Sequence, residues 1–258
     1  MKNALFVLFG FLILIGCETN SVSPSSTNSS GSNGSYSQII VHNNYLYGIS
    51  GNQISTVDIS DKENVKEIDT QVLAYNIESL FIDNQTLFIG SSSRFYIFSI
   101  DEDTGIPIPL SEENYNINFL ADQFICFNDP IIADVTHAYV TLHTTISNNC
   151  RSETINELRV YNIADLNAPV LINTTDMTEP KGLAKDGNTL FVCDGYNGLK
   201  IYDVSTPSEP VESYHFEGFD SYDLILNNKI MQVVATDQLL QFDYSDLDSI
   251  YLLGILSL

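Results

Sequence analysis

Apolar and polar positions alternate in five short, similar segments that are spread along this 258-residue chain. Each segment is an alternating stretch followed by Asp, Asn or Ser, then an apolar residue and a small or acidic one. The copies are Ile54–Ser60, Phe95–Asp101, Leu158–Ala164, Leu199–Ser205 and Leu239–Ser245. Aligned on Asp58, Ser99, Asn162, Asp203 and Asp243, they lie 41, 63, 41 and 40 residues apart. The chain is therefore a repeat array whose third unit carries an insertion.

Turn-forming residues divide each unit into strands. In the fourth unit Asp186-Gly187 separates two β-prone runs, which is a strong hairpin signal because glycine tolerates a positive φ. Asn43-Asn44, Asp83-Asn84 and Asn227-Asn228 occupy the same place in other units. Each unit of about 40 residues then has room for four antiparallel strands.

One small sheet would leave both of its apolar faces exposed, whereas sheets stacked around an axis cover one another. The sequence therefore predicts an all-β fold, a β-propeller of four-stranded antiparallel blades, with five blades. An open β-solenoid or a sandwich fits less well, because neither is expected to repeat every 40 or so residues.

A proline-containing turn follows the best-preserved copies. Leu199–Val211 includes Pro207 and Pro210, and Leu158–Val170 has the same form. This pattern resembles the LVIVD repeat, a β-propeller unit of secreted and cell-surface proteins. The resemblance implies a propeller fold, and it implies no particular enzymatic activity.

The first residues predict export and lipidation. Lys2 and the apolar run Leu5–Ile15 are typical of a secretory signal, and Leu14–Cys17 resembles the lipobox of bacterial lipoproteins. That resemblance implies a diacylglyceryl group on Cys17, acylation of the new amine, and a stable membrane anchor. We expect a bacterial cell-envelope location, with the outer membrane as the favoured site.

The predicted organisation has three parts. Residues 1–16 are the lipoprotein signal peptide, and residues 17–37 are the lipidated cysteine with a Ser/Asn/Gly-rich flexible tether. Residues 38–258 form the propeller. Its repeats lie near 38–77, 78–116, 130–177, 180–219 and 221–258.

The charge composition limits the classes of partner that the protein can bind. A formal net charge of −23 repels phosphate backbones, which argues against nucleic-acid binding.

In an oxidising compartment we expect a disulfide between Cys126 and Cys150, which would close a loop of about 25 residues within the third unit. Cys193, in an apolar strand, is expected to be a small buried thiol.

The repeated Asp or Asn has a structural interpretation. At the end of a strand, the side chains of Asp58, Asn162, Asp203 and Asp243 can accept hydrogen bonds from the amides of the following turn. We expect these residues to stabilise the repeat turns.

Catalytic signals are weak. Four histidines are present, and they form no metal-binding array: His42, His137, His143 and His215. His42 and His137 both fall at the turn between the first two strands of their units, the first hairpin, which gives a weak hint of a metal or a general base. We expect no catalytic residues, no metal and no cofactor.

Two functions follow from this pattern. The favoured one is a non-catalytic binding or scaffold module for an envelope protein or a glycan, with the insertion of residues 117–130 and 142–155 on its recognition face. The alternative is a carbohydrate-active hydrolase or lyase that uses acidic residues at the mouth of the propeller channel.

Overall fold

The computed structural model describes residues 38–73, 77–115, 130–144 and 155–258, together with the backbone of 127–128. These residues form five antiparallel sheets, and in each sheet four strands follow one another in sequence order, while the third sheet has a short fifth strand as well. None of the described residues belongs to a helix that is long and apolar enough to cross a membrane.

The strands follow one another blade by blade. The first two blades contain β1 (Ile39–His42), β2 (Tyr45–Ser50), β3 (Gln53–Asp58), β4 (Lys66–Val72), β5 (Ile77–Asp83), β6 (Thr86–Ser91), β7 (Arg94–Ile100) and β8 (Pro107–Asn114). The third contains β10 (Ile131–Ala133), β11 (His137–Thr144), β12 (Asn156–Asn162) and β13 (Val170–Asp176), with the short β9 (Phe127–Asn128) paired to β11. The last two contain β14 (Leu183–Asp186), β15 (Thr189–Cys193), β16 (Leu199–Asp203), β17 (Val211–Phe216), β18 (Ser221–Asn227), β19 (Ile230–Ala235), β20 (Gln238–Asp243) and β21 (Tyr251–Ser257).

This architecture confirms the predicted all-β propeller of four-stranded blades. Each repeated segment begins in the third strand of its blade. A bulge interrupts the pairing of the third and fourth strands just before the repeated Asp position in all five sheets. The bulge adds twist at the place where the chain prepares to turn.

The first hairpins are made by the residues that the sequence indicated. Asn43, Asn84 and Asn228 have φ values of 55°, 51° and 50°, and Gly187 has a φ of 58°. Asn tolerates this left-handed conformation better than other side chains, so the repeated Asn residues are explained by backbone geometry.

Four apolar clusters hold the blades together, and the buried residues of each come from two blades that are consecutive in the chain. Every cluster contains a large side chain from the second strand of the earlier blade. These side chains are Tyr47, Phe88, Tyr139 and Phe191, all fully buried. Facing them lies an aromatic side chain of the next blade, one residue before the repeated Asp position: Phe98, Tyr161, Tyr202 and Phe242.

The first and fifth blades each leave one face exposed. Within the part of the chain that the structure describes, no buried apolar cluster joins these two blades. Ile39 and Val41 of the first blade are 64% and 57% exposed, and Ile225 and Val234 of the fifth are each 41% exposed. Interior blades are therefore covered on both faces, and the terminal blades on one.

The repeated Asp and Asn side chains accept hydrogen bonds from the amide two residues further on. The distances from Oδ1 of Asp58, Asn162, Asp203 and Asp243 to these nitrogens are 2.9, 2.9, 2.8 and 2.8 Å. For Asp58, Asp203 and Asp243, hydrogen bonds from the side chain and the amide of the serine two residues further on lower the carboxyl pKa. Their contribution to stability remains a prediction.

Candidate binding site at the rim beside the third-blade insertion

A network of polar side chains lies at one rim of the propeller, where the first strands of the third, fourth and fifth blades begin. It consists of His143, Glu179, Lys181, Asp220 and Tyr222, here called the rim cluster. His143 is near the end of β11, Glu179 and Lys181 precede β14, and Asp220 and Tyr222 lie at the start of β18.

Lys181 occupies the centre of the rim cluster. Its Nζ lies 3.2 Å from Oε1 of Glu179, 3.4 Å from Oδ1 of Asp220 and 4.0 Å from the centre of the Tyr222 ring. A largely buried ammonium group between two carboxylates and an aromatic face is held by both ion pairing and cation–π attraction.

His143 extends the network towards the third blade. Its Nε2 lies 3.5 Å from Oε1 of Glu179, and its Nδ1 is 2.9 Å from Oδ1 of Asn156. On the other side the Tyr222 hydroxyl donates to Oδ2 of Asp220 at 3.1 Å. The rim cluster therefore connects three blades through side chains.

A buried carboxylate fixes the segment that carries Glu179. Asp194 is fully buried, and its Oδ1 accepts hydrogen bonds from the amides of Thr178 and Glu179 at 2.9 and 2.8 Å. Its Oδ2 accepts from Nδ2 of Asn197 and pairs with Nζ of Lys200 at 3.0 Å. This burial is tolerable because four donors, one of them charged, surround the carboxylate.

Glycine brings the fourth and fifth blades close together at this rim. A Cβ on Gly182 would lie 2.7 Å from the Cα of Asp223, and the Gly182 amide donates to the carbonyl of Tyr222 at 2.9 Å. A larger residue at Gly182 would separate the two blades, and Lys181 would then move away from Asp220.

The two parts of the predicted insertion meet beside His143. Asn128 of β9 pairs with His143 in β11, and the Thr144 amide donates to the carbonyl of Ile155 at 3.1 Å. The chain thus enters and leaves residues 145–154 at the edge of the rim cluster. Residues 117–126 and 145–154 lie outside the described part of the chain.

Other sequence predictions are placed as follows. Cys193 is a buried free thiol, as expected, and burial raises its pKa, so it is a poor nucleophile. Cys17, Cys126 and Cys150 lie outside the described residues, so the lipid anchor and the disulfide stay predictions. Among the residues that the structure describes, no group of three or more His, Cys, Asp or Glu side chains could hold a metal.

Sequence reasoning did not find the rim cluster, because its members belong to three repeats and match no motif. A comparison of the repeats offers one signal. Asp194 lies five residues after Thr189, the residue that pairs with the repeated Asp203. At the same distance in the other blades lie Ser50, Ser91, Leu142 and Ala235. A carboxylate at a position that is uncharged in four repeats marks the blade whose rim differs.

Comparison with known proteins agrees with this architecture. The family model for the LVIVD repeat matches residues 33–70 and 181–217. The chain is therefore a β-propeller that carries LVIVD repeats, as the sequence predicted. A search of curated protein sequences returned no match.

Several solved structures share the fold at low identity. A Lactobacillus plantarum protein aligns with a TM-score of 0.64 and 12% identity, over 84% of this chain and 69% of that one. A periplasmic gluconolactonase from Pseudomonas aeruginosa aligns with a TM-score of 0.60 and 13% identity, over 83% and 69%. A proposed 6-phosphogluconolactonase from Bacteroides uniformis gives 0.62 and 12%, over 85% and 70%. These likenesses show the fold alone.

Proposed function

We propose that this protein is a lipid-anchored propeller of the bacterial cell envelope that acts as a non-catalytic binding or scaffold module. Its protein or glycan partner contacts the rim cluster and the inserted segments next to it. One observation carries this proposal: the stems of both inserted segments meet at His143, where three blades contribute polar side chains in fixed positions. Recognition commonly uses loops that a rigid scaffold holds in place.

The rim cluster is suited to binding because its charges are already oriented. Lys181 is held by Glu179, Asp220 and Tyr222, so little side-chain entropy is lost when a partner docks. Tyr222 is exposed at the surface, and tyrosine combines a large apolar face with a hydroxyl group. Such a surface favours a polar partner that can exchange hydrogen bonds with the cluster.

The alternative, a hydrolase or lyase, needs two carboxyl groups that converge on a substrate. Among the described residues, burial raises the carboxyl pKa of Asp83 and of Glu113. Asp83 ends β5 at the first hairpin, whereas Glu113 lies in β8 opposite Phe95, towards the other end of the same blade. Two carboxylates do converge in the rim cluster, but Glu179 and Asp220 are both paired with Lys181, which favours binding over catalysis.

The location rests on the sequence. The lipobox-like Leu14–Cys17 and the polar residues after it support a tether that holds the propeller away from the lipid surface. We propose the outer membrane as that surface. Incorporation of radiolabelled palmitate that is lost in Cys17→Ala would test the anchor independently of any partner.

Photocrosslinking in intact cells tests the binding role. A photoreactive phenylalanine analogue at Tyr222 should capture a partner, because this side chain is exposed within the rim cluster. The matched control carries the same analogue at Asn227, an exposed residue at the other end of β18, on the opposite rim.

Capture should also require the charge at the centre of the rim cluster. We expect Lys181→Met to lower capture from Tyr222 at least tenfold while the protein remains folded by circular dichroism. Equal capture from Tyr222 and Asn227, or capture that is insensitive to Lys181→Met, would contradict the proposal. Turnover of a lactone or glycoside that is lost in Glu179→Gln would support the enzyme instead.

A further inference from the structure

The outermost strand of the fifth blade differs in composition from the other four outermost strands. β21 has the sequence Tyr-Leu-Leu-Gly-Ile-Leu-Ser and carries no charged residue. Each of the others contains at least one acidic residue: Glu67 and Asp69 in β4, Glu112 and Glu113 in β8, Asp176 in β13 and Glu212 in β17. Charged residues on an edge strand are a common defence against pairing with another chain, and β21 lacks them.

Every residue of β21 is exposed, and so is Leu258 after it. β21 is also the edge of its sheet, so one side of its backbone has no strand partner within the described residues. An exposed apolar edge of this kind is a template for the addition of another strand.

An apolar groove runs beside this strand. It has a volume of about 400 Å³, and its walls include Phe216, Phe219, Phe242, Ile250, Leu252 and Ile255. The groove extends the apolar surface beyond the strand itself. Stable interfaces bury at least about 1,000 Å² in total, which a strand pair alone would not reach.

The net charge of the chain limits where a second copy could dock. Two copies with a net charge of −23 repel each other over most of their surfaces, and β21 is a segment where no acidic side chain opposes the contact. The strand itself offers no carboxylate to a basic partner, and the groove beside it has one acidic lining residue, Glu217. If a second copy docks, it must therefore do so where charges stay apart, and β21 is such a segment.

The sequence of β21 is nearly self-complementary. In an antiparallel pair centred on Gly254, Leu253 would face Ile255 of the second copy, and Leu252 would face Leu256. A two-fold symmetric contact requires this property, because the same surface must serve both partners. A Cβ added at Gly254 would meet no atom within 4 Å, so this position can accept a substitution that tests the pairing.

We propose that two copies of this protein pair through β21, antiparallel about Gly254, so that the two fifth blades form one eight-stranded sheet. The open face of the fifth blade is less suited to this role. Its centre holds Gln232 and Gln241, paired across β19 and β20, where interior blades have apolar residues. The pairing strand, not the blade face, is thus the assembly surface.

Sedimentation velocity of the full chain in mild detergent tests this proposal. We expect a reversible dimer whose dissociation constant rises at least tenfold in Leu253→Lys, because a charge on the edge opposes pairing. The control is Leu171→Lys in β13, another outermost strand. Leu171 and Leu253 are 43% and 45% exposed, so neither change should unfold the monomer. We expect Leu171→Lys to dimerise like the wild type.

A cysteine scan tests the register. Only a residue on the two-fold axis lies opposite itself, so Gly254→Cys should form an intermolecular disulfide under mild oxidation. Leu252→Cys and Leu256→Cys should each crosslink at least tenfold less, and the wild type gives the background of the native cysteines.

Three results would overturn the proposal. The first is a monomer at all concentrations, and the second is a dimer that Leu171→Lys and Leu253→Lys weaken equally. The third is a monomer that binds phosphatidylethanolamine–phosphatidylglycerol vesicles and loses this binding in Leu253→Lys, which would assign the strand to a lipid surface. None of these results depends on the rim cluster.

Discussion

The fourth and fifth blades have the same arrangement of strands and the same repeat turn. They differ at the centre of one face, the one that points away from the preceding blade. In the fourth blade this face presents Phe191 and Ile201, which are fully buried against the fifth blade. In the fifth blade the corresponding residues are Gln232 and Gln241. The central residues are therefore apolar where another blade covers the face, and polar where none of the described blades does.

The first blade also has a face that no described blade covers, and its residues differ there too. Blades two to five place an aromatic residue one position before the repeated Asp site, and each packs on the preceding blade. The first blade has the smaller Val57 there, and this residue is partly exposed. Terminal repeats of an array often differ from interior ones because one face meets solvent. The difference shows that the large aromatic residues serve the contacts between blades.

The largest expected effect separates interior from terminal positions directly. Phe191→Ala should lower the free energy of unfolding by about 3–5 kcal/mol, because it leaves a cavity between two blades. The matched change Gln232→Ala should lower it by less than about 0.5 kcal/mol, as is usual for surface positions. Urea unfolding of both variants measures the difference. Equal losses would show that the fifth blade is covered as the fourth is.

A buried charge provides the second test. Asp194→Ala should destabilise the protein by about 3 kcal/mol, because Lys200 and the amides of Thr178 and Glu179 lose their partner. The control is Ser91→Ala at the corresponding position of the second blade, for which we expect a loss of about 1 kcal/mol. A smaller loss for Asp194→Ala than for Ser91→Ala would contradict the positioning role of this carboxylate.

The repeat turns should behave alike in interior and terminal blades, because the amide hydrogen bonds to their Asp residues are local. Asp243 also accepts from the exposed Tyr251 hydroxyl at 3.2 Å, which should add little. Asp203→Ala and Asp243→Ala should lower the melting temperature by similar amounts, and by less than Asp194→Ala does. Asp203→Asn should keep most of the stability, since Asn162 already makes the same bond in the third blade. A strong loss in only one of the two Ala variants would show that the position of the blade matters at these turns.

Acid should weaken the same turns. The pKa of Asp203 and of Asp243 is lowered from 3.8 by hydrogen bonds from the following serine. A lowered pKa in the folded state adds stability above pH 3.8, and this stability is lost as the pH falls through the lower, folded-state value. The melting temperature of the wild type should therefore fall more steeply below about pH 4 than that of the double variant Asp203→Asn and Asp243→Asn. Identical slopes would remove the carboxylates from the acid response.

The smallest effect is expected from restoring the missing aromatic residue. Gln232→Phe should change the free energy of unfolding by less than about 0.5 kcal/mol, because none of the five described blades covers this face. A gain of about 2 kcal/mol would show that the side chain is buried after all. Urea unfolding at two protein concentrations would also reveal whether the new apolar surface promotes association.

Much of the fold follows from the sequence because its signals are local. Asn43, Asn84, Gly187 and Asn228 mark the hairpins through their tolerance of positive φ, and the repeat spacing predicts the blades. The rim cluster could not be predicted in this way. Glu179 and Lys181 reach Asp220 from another repeat, and His143 from a third, so their meeting depends on how the blades stack.

The amino-acid sequence by itself determined the strands, the turns and the number of repeats, since alternation and turn chemistry act over a few residues. The tertiary structure alone decided which blade faces are covered, where Lys181 finds its partners and that β21 stands at an open edge. These features depend on the packing of whole sheets against one another, which brings together residues that are far apart in the chain.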